Sequence, residues 1–214
     1  MSIDQVLRTR YASKLYDETK TLTAEQEQQL FDLLRYSPSS VNSQPWHFFA
    51  LVSDEAKEKI LPAVTEANHN KIKKSAMVVV FTTHTEITEA HLKNLLAQEK
   101  KDGRFASEEQ EQNQDKGRRY FVNRNSNTPE QQRDWMARQA YISLGFLLLG
   151  AASMGLDATP IEGFFADKLD SALGLEEKQL TSVVLAAVGY HDGNDFNAKL
   201  PKSRLPQEQV ITRL

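Results

Sequence analysis

Residues 128–155 read TPEQQRDWMARQAYISLGFLLLGAASMG, and the architecture follows from this stretch. Thr128 and Gln131 form a capping box, and Pro129 takes the first helical position, where its missing N–H needs no partner. The helix they start runs through Trp135, Met136 and Leu147 to about Met154, and Gly155 supplies the left-handed terminator. Its second half is apolar on nearly every side, which predicts a helix at the centre of the molecule. The run Leu144–Leu156 is shorter than the ~18 residues of a membrane span, so it reads as buried in protein.

Strands and further helices lie on either side. Asp157–Glu162 predicts a short strand, Asp167–Leu173 a short helix ended by Gly174, and Ser182–Gly189 a buried strand. Upstream, Met77–Thr82 is a β-branched run typical of a strand covered on both faces, and His47–Val52 is a further strand. Helices are predicted over Asp4–Arg10, from the Thr23 capping box to Tyr36, over Asp54–Val64 behind Ser53, and over Thr88–Lys101. Ser107 with Gln110 caps one more, but Glu108–Asn127 is so polar that it predicts an exposed, mobile excursion with little core. The last stretch, Asp192–Leu214, holds Pro201 and Pro206 and too few apolar positions to fold on itself. A partner subunit is a plausible host for it. Helix-rich order without regular β-α-β repetition indicates one α+β domain over residues 1–214.

Composition narrows the function classes. Lys plus Arg number 26 against 29 for Asp plus Glu, and a net charge of −3 gives no electrostatic case for nucleic acid or an anionic membrane. With no cysteine there is no disulfide, thiol nucleophile or Cys-ligated metal centre. The N-terminal MSIDQVLRTRYASK has no apolar stretch able to act as a secretion signal, and a cytoplasmic location is expected. The five histidines lack metal-ligand spacing, and G-x-G-x-x-G, P-loop and G-x-S-x-G are all absent. No metal site is expected.

Three polar clusters remain: Arg8, Arg10 and Lys14; Asn68-His69-Asn70-Lys71; and Lys202-Ser203-Arg204 between two prolines. Taken alone, each reads as a solvated surface, since Lys and Arg are mostly exposed. The proline-bracketed segment is stiffer than most, which suits a fixed grip on phosphate by Arg and Lys.

Five stretches then combine. They are YSPSSVNSQPWH (36–47), DGRFA (102–106), DWMA (134–137), GLDATPIEG (155–163) and LPKSRLP (200–206). In this order over the whole chain they resemble the oxygen-insensitive NAD(P)H nitroreductases and the related FMN reductases and dihydropteridine reductases of enteric-type bacteria. The resemblance implies a nitroreductase-like α+β fold, a central sheet flanked by helices, and an intertwined homodimer with FMN sites at its interface. It implies that Arg10, Lys202 and Arg204 grip the FMN phosphate, with Tyr11, Ala12, Ser13 and Ser203 alongside. Lys14, Asn68 and Lys71 would surround the pyrimidine edge of the flavin. Pro160, Ile161, Glu162 and Gly163 would meet the central ring, the Glu162 N–H near N5.

Ser39, Ser40 and Asn42 would reach over from the other subunit, and Gln139 belongs to the same cofactor shell. Val41, Arg104 and Phe121, with Lys14, Asn68 and Lys71, would face the acceptor and the nicotinamide of NADH or NADPH. Two departures stand out: Tyr11-Ala12 replace a His-Ser pair common in relatives, and Val41 replaces Thr.

The implied activity is a two-electron, ping-pong reduction of nitroaromatics, quinones or related acceptors with NAD(P)H. Cations at the pyrimidine edge favour the reduced flavin, which is an anion, so no acid or base residue is required. A flavin reductase or dihydropteridine reductase shares the fold and cofactor, and the motifs do not separate it. A non-catalytic flavin-binding module is a more remote alternative, because no output domain is visible.

Overall fold

The computed structural model describes residues 2–214. Four strands, β1 (Trp46–Leu51), β2 (Met77–His84), β3 (Asp157–Ile161) and β4 (Leu180–Gly189), make one antiparallel sheet in the order β1-β2-β4-β3. Among the described residues, eight helices of seven residues or more accompany it: α1 (Ile3–Thr9), α2 (Ala24–Arg35), α3 (Asp54–Ile60), α4 (Glu66–Lys74), α5 (Glu89–Lys101), α6 (Glu108–Arg124), α7 (Pro129–Ser153) and α8 (Ala166–Leu173). The single-turn α9 (Gln207–Val210) lies in the tail.

Alternation along the central strands explains the layering. Met77, Val79 and Phe81 of β2 and Val184, Ala186 and Val188 of β4 face α2 and α7, where Leu30, Leu34, Leu144 and Leu147 complete one core. Val78, Val80, Leu185 and Ala187 point the other way, onto Ile60, Ile72 and Leu169 of α3, α4 and α8. Both faces are therefore covered, and this is why Met77–Thr82 has no polar alternation. Leu147 is fully buried, and its truncation to Ala would cost about 2–5 kcal/mol. β3 is an edge strand, which is where a sheet tolerates Pro160. A third cluster, Leu92, Val122, Trp135 and Met136, joins α5, α6 and the first half of α7 away from the sheet.

The start and stop signals of α7 act as predicted: the Thr128 hydroxyl accepts from the Gln131 N–H, and Gly155 takes φ +77°. Its position differs from the expected one. Only one side lies on the sheet, and Tyr141, Ile142 and Phe146 are each more than two-fifths exposed. Ser107 caps a helix through the Gln110 N–H, as expected, and the segment 108–127 is mostly exposed, but the mobility expected of it is corrected. The segment is mostly the 17-residue helix α6, held by fully buried Arg118 and by Val122. A single buried ion pair anchors a helix that is otherwise polar, and a count of apolar residues does not detect that. The helix expected over Asp54–Val64 stops at Ile60 and continues as a 3₁₀ turn around Pro62. Helix α4 was not predicted, because Ile72 is its one buried residue.

Candidate functional site

The segment Arg10–Tyr16 runs beside the edge strand β3. Ala12 pairs with Ala158 in a parallel bridge, the Thr159 hydroxyl donates to the Ser13 carbonyl, and the Tyr16 hydroxyl donates to the Ala187 carbonyl at 2.8 Å. Asp195 ties the C-terminal tail to the same segment. Its buried carboxylate accepts from the Ser13 hydroxyl and the Lys14 N–H, both at 2.8 Å, and from the Asn197 N–H at 2.9 Å. Burial raises the Asp195 pKa, but these hydrogen bonds outweigh it and hold the carboxyl below its ordinary value. The Asn197 amide donates to the Ala12 carbonyl at 2.7 Å, and the Lys202 ammonium donates to the Arg10 carbonyl.

These contacts enclose a cleft of about 360 Å³ between Arg8–Ala12 and Asn197–Arg204. Arg10, Lys202 and Arg204 border it, and none of the three forms an ion pair with a carboxylate among the described residues. Burial and then the charge of Arg204 lower the Arg10 pKa; burial and then Arg10 and Arg204 lower that of Lys202. Cations that repel one another without a carboxylate between them form a receptor for an anionic group such as phosphate. Ser203 lies on the cleft wall, and its carbonyl accepts from Arg204 at 2.6 Å. The Tyr11 hydroxyl is buried without a partner, and burial, then Asp157 and Asp195, push its pKa up to about 12. The Tyr11 ring thus occupies space without extending the set of phosphate donors.

A second arm comes from α4. Lys71 donates to the Asn68 side chain at 2.7 Å, and its pKa is lowered by burial and then by the charge of Lys14, which places the two ammonium groups in one field. Asn68 and Thr65 both donate to the Gly163 carbonyl, at 3.4 and 2.9 Å. A Cβ on Gly163 would lie 2.6 Å from the Asn68 amide nitrogen and 2.7 Å from the Thr65 hydroxyl. Glycine at 163 is therefore what lets the end of β3 meet α4. Pro160 and Ile161 are the last paired residues of β3, opposite Ala186 and Leu185, and Glu162 follows them. The Tyr141 hydroxyl donates to the Glu162 carboxylate at 2.5 Å; burial, then Glu162, push the Tyr141 pKa up to about 12.

Loop 39–44 belongs to a separate group. Its Ser40 N–H donates to the Gln139 side chain at 2.8 Å, and the Gln139 amide donates in turn to the Trp135 carbonyl at 3.0 Å. Val41 packs on the third core cluster, and the Asn42 amide donates to Glu99 at 2.8 Å. The Ser39 hydroxyl accepts from the Gln44 N–H. Arg104 sits 3.9 Å from Glu99 on the same excursion, and Phe121 is exposed on α6. No hydrogen bond or ion pair among the described residues joins loop 39–44 to Arg10–Lys14 within the chain. Helix α7 links the two groups, through Gln139 to the loop and through Tyr141 to Glu162.

A larger cleft, of about 540 Å³, lies near α3 and mixes Lys20, Lys57, Lys73 and Lys74 with Glu18, Asp54 and Glu58. Lys57 is already satisfied there by Asp54 and the carbonyls of Lys73 and Ser75. It is not available to an anion.

Comparison with known proteins gives the family of the chain. The chain matches the Nitroreductase family model over residues 7–190. It is 45% identical to an oxygen-insensitive NAD(P)H nitroreductase of Salmonella typhimurium, with all of both chains covered. It is 43% identical to an enzyme of the same name from Enterobacter cloacae, over 99% of each chain. Identity to the major NAD(P)H-flavin oxidoreductase of Aliivibrio fischeri is 34%, covering 97% of this chain and 96% of that one. An Exiguobacterium sibiricum protein solved in complex with FMN has the same fold, with a TM-score of 0.84 at 21% identity over 100% of this chain and 98% of that one. Match length and conserved architecture together place this chain in the nitroreductase family.

Proposed function

We propose that the chain is an FMN-dependent oxidoreductase that uses NAD(P)H to reduce nitroaromatic and quinone-type acceptors, and that it works as a cytoplasmic homodimer. The observation that carries this reading is the cation cluster Arg10, Lys202 and Arg204, free of carboxylates, with Arg10 on the N-terminal segment that also carries Lys14, whose charge reaches Lys71 of α4. Relatives at 43–45% identity carry the name NAD(P)H nitroreductase. When bound, FMN supplies a ring that takes up and gives out a hydride.

The chain's own residues bind and polarise. Arg10, Lys202 and Arg204 hold the phosphate, with Tyr11, Ala12, Ser13 and Ser203 as walls. Lys14 and Lys71 put positive charge, and Asn68 an amide, at the pyrimidine edge, where negative charge accumulates on reduction. Pro160–Gly163 present a backbone edge to the central ring. Ser39, Ser40 and Asn42 of the partner subunit, backed by Gln139, close the other side. Val41, Arg104 and Phe121 border the mouth where NAD(P)H and acceptor stack in turn.

Two features favour the dimer. Tyr141, Ile142 and Phe146 leave an apolar face of α7 uncovered, and Leu205, Val210 and Ile211 of the tail are more than three-fifths exposed. No helix among the described residues is long and apolar enough to cross a membrane. A second reading, a flavin reductase that releases reduced flavin, is favoured by the Aliivibrio fischeri relative.

Chromatography of heat-released cofactor tests the first claim: FMN is expected, and FAD, or a colourless protein that FMN does not reconstitute, would overturn it. Steady-state comparison of a nitroaromatic, a quinone and free FMN as acceptors separates the two readings.

A further inference from the structure

Three residues of loop 39–44 have an unusual backbone. Val41, Asn42 and Gln44 take φ of +51°, +52° and +40°, in the left-handed region that a β-branched residue such as Val41 strongly disfavours. Something outside the loop must hold it there. Among the described residues, the charged side chains that hydrogen-bond to it come from α5 and α6. Arg118 donates through Nε to the Val41 carbonyl at 3.1 Å, and Glu99 accepts from the Asn42 amide at 2.8 Å. Arg118 and Glu99 then pair with each other at 2.5 Å, their side chains 0% and 4% exposed. Val41 and Asn42 are thus each gripped by one member of a buried ion pair, while Gln44 is held within the loop by Ser39 and Asn42.

A buried ion pair is a weak source of stability, because desolvation offsets the attraction, but it imposes geometry. The Glu99 main chain also accepts the Arg104 N–H at 3.0 Å, and Arg118 lies on the same helix α6 as Phe121. We propose that Glu99 and Arg118 are positioning residues that hold the left-handed turn at Val41–Asn42, and through it the loop that closes on FMN. This rests on the placement of loop 39–44 at the FMN site in the reading above. Without the pair, the turn relaxes to negative φ, and FMN binding must restore the strained form. A left-handed penalty at one residue corresponds to a factor of about ten in an equilibrium constant.

The test is a double-mutant cycle on the reconstituted full-length protein, read as the FMN dissociation constant. The neutral variant Glu99→Gln/Arg118→Met removes both charges, so no lone charge is left buried. Combining it with Val41→Gly asks whether the strain is what the pair opposes, because glycine enters the left-handed region freely. In the Val41 background the neutral pair should weaken FMN binding about tenfold; in the Val41→Gly background it should change binding less than about twofold. A purely structural role for the pair predicts equal weakening in both backgrounds, and that result overturns the proposal, as does no weakening in either. Ser40→Trp is the control for the loop's placement. If Ser40→Trp leaves FMN affinity unchanged, the loop is not at the site and the proposal falls with its premise. If it weakens binding while the neutral pair does not, the proposal alone fails.

Discussion

The Asp195 carboxylate accepts the Ser13 hydroxyl at 2.8 Å, joining residues 182 positions apart in the chain. The same oxygen takes the N–H of Lys14 at 2.8 Å and of Leu15 at 3.3 Å, and the other takes that of Asn197 at 2.9 Å. The N-terminal segment that carries Arg10 and Lys14 is thereby fixed against the tail that carries Lys202 and Arg204. An acidic residue outside the cleft lined by Arg10, Lys202 and Arg204 thus joins the two segments that form its walls.

Asp195→Ala should destabilise the protein by about 3 kcal/mol, since it leaves several buried donors unpaired, at about 1–3 kcal/mol each where water does not replace the carboxylate. It should also weaken FMN binding, although Asp195 is not assigned to the ligand. Denaturant unfolding and FMN titration of the same variant check both. The pH dependence follows in sign: the folded pKa is held below the unfolded one, so the contribution is complete above the unfolded value of about 3.9 and lost as pH falls through the folded one. Asp195→Asn should therefore flatten the acid limb of the stability curve.

Arg204→Ala should weaken FMN binding about ten- to hundredfold, the range of a charge-assisted hydrogen bond to phosphate. Arg8→Ala borders the same cleft but should cost little. Arg8 is exposed and paired with Asp4 at 3.0 Å, a surface pair of small net value. Equal dissociation constants for the two variants would remove Arg204 from the phosphate grip.

Lys71→Met should lower the two-electron midpoint potential of the bound flavin by about 30 mV or more, the change that corresponds to a tenfold loss. The Lys71 pKa is depressed by burial and by Lys14, so an anion forming beside it relieves that repulsion. Potentiometric titration against a dye of known potential measures the shift, and an unchanged potential would place Lys71 away from the flavin.

Much of this was legible in the residues, and the reasons differ by element. Helix α7 was readable because its capping box and Gly155 are local signals that act on the backbone whatever the surroundings. β2 was readable because burial on both faces leaves an uninterrupted β-branched run. The side of α7 that stays bare was not readable, since periodicity reports which residues are apolar and not what covers them. Arg118 and Glu99 were illegible for the opposite reason. In sequence each sits among charges that are solvated, and only their meeting across α5 and α6 makes them a buried pair. Asp195 was illegible because its bond to Ser13 is non-local.

Phe146→Lys should convert the protein to a monomer that does not retain FMN. Phe146 lies with Tyr141 and Ile142 on the bare apolar face of α7, and a charge at the centre of an interface is strongly disfavoured. Sedimentation at low concentration gives the mass and the absorbance of the peak gives the flavin content. A monomer that stays yellow would contradict the placement of Ser39–Asn42 of one subunit at the FMN of the other.

NAD(P)H and acceptor should use one pocket in turn, giving parallel initial-rate plots. In the function proposed above, the nicotinamide stacks on the flavin face where the acceptor later stacks. The mouth residues fit such sharing: Phe121 offers an exposed aromatic face, and Arg104, more than half exposed and held only loosely by Glu99, is free to meet either partner. Lys14 and Lys71 together favour the fully reduced anion over forms with a single added electron, so electrons should leave as a pair. A nitro group then passes directly to the nitroso level, no radical is released for oxygen to recapture, and turnover in air should equal turnover under nitrogen. Intersecting rate plots would indicate a ternary complex. Superoxide released during nitroaromatic turnover would indicate single-electron transfer, and it would show that the charge supplied by Lys14 and Lys71 is too weak or too distant to set the stoichiometry.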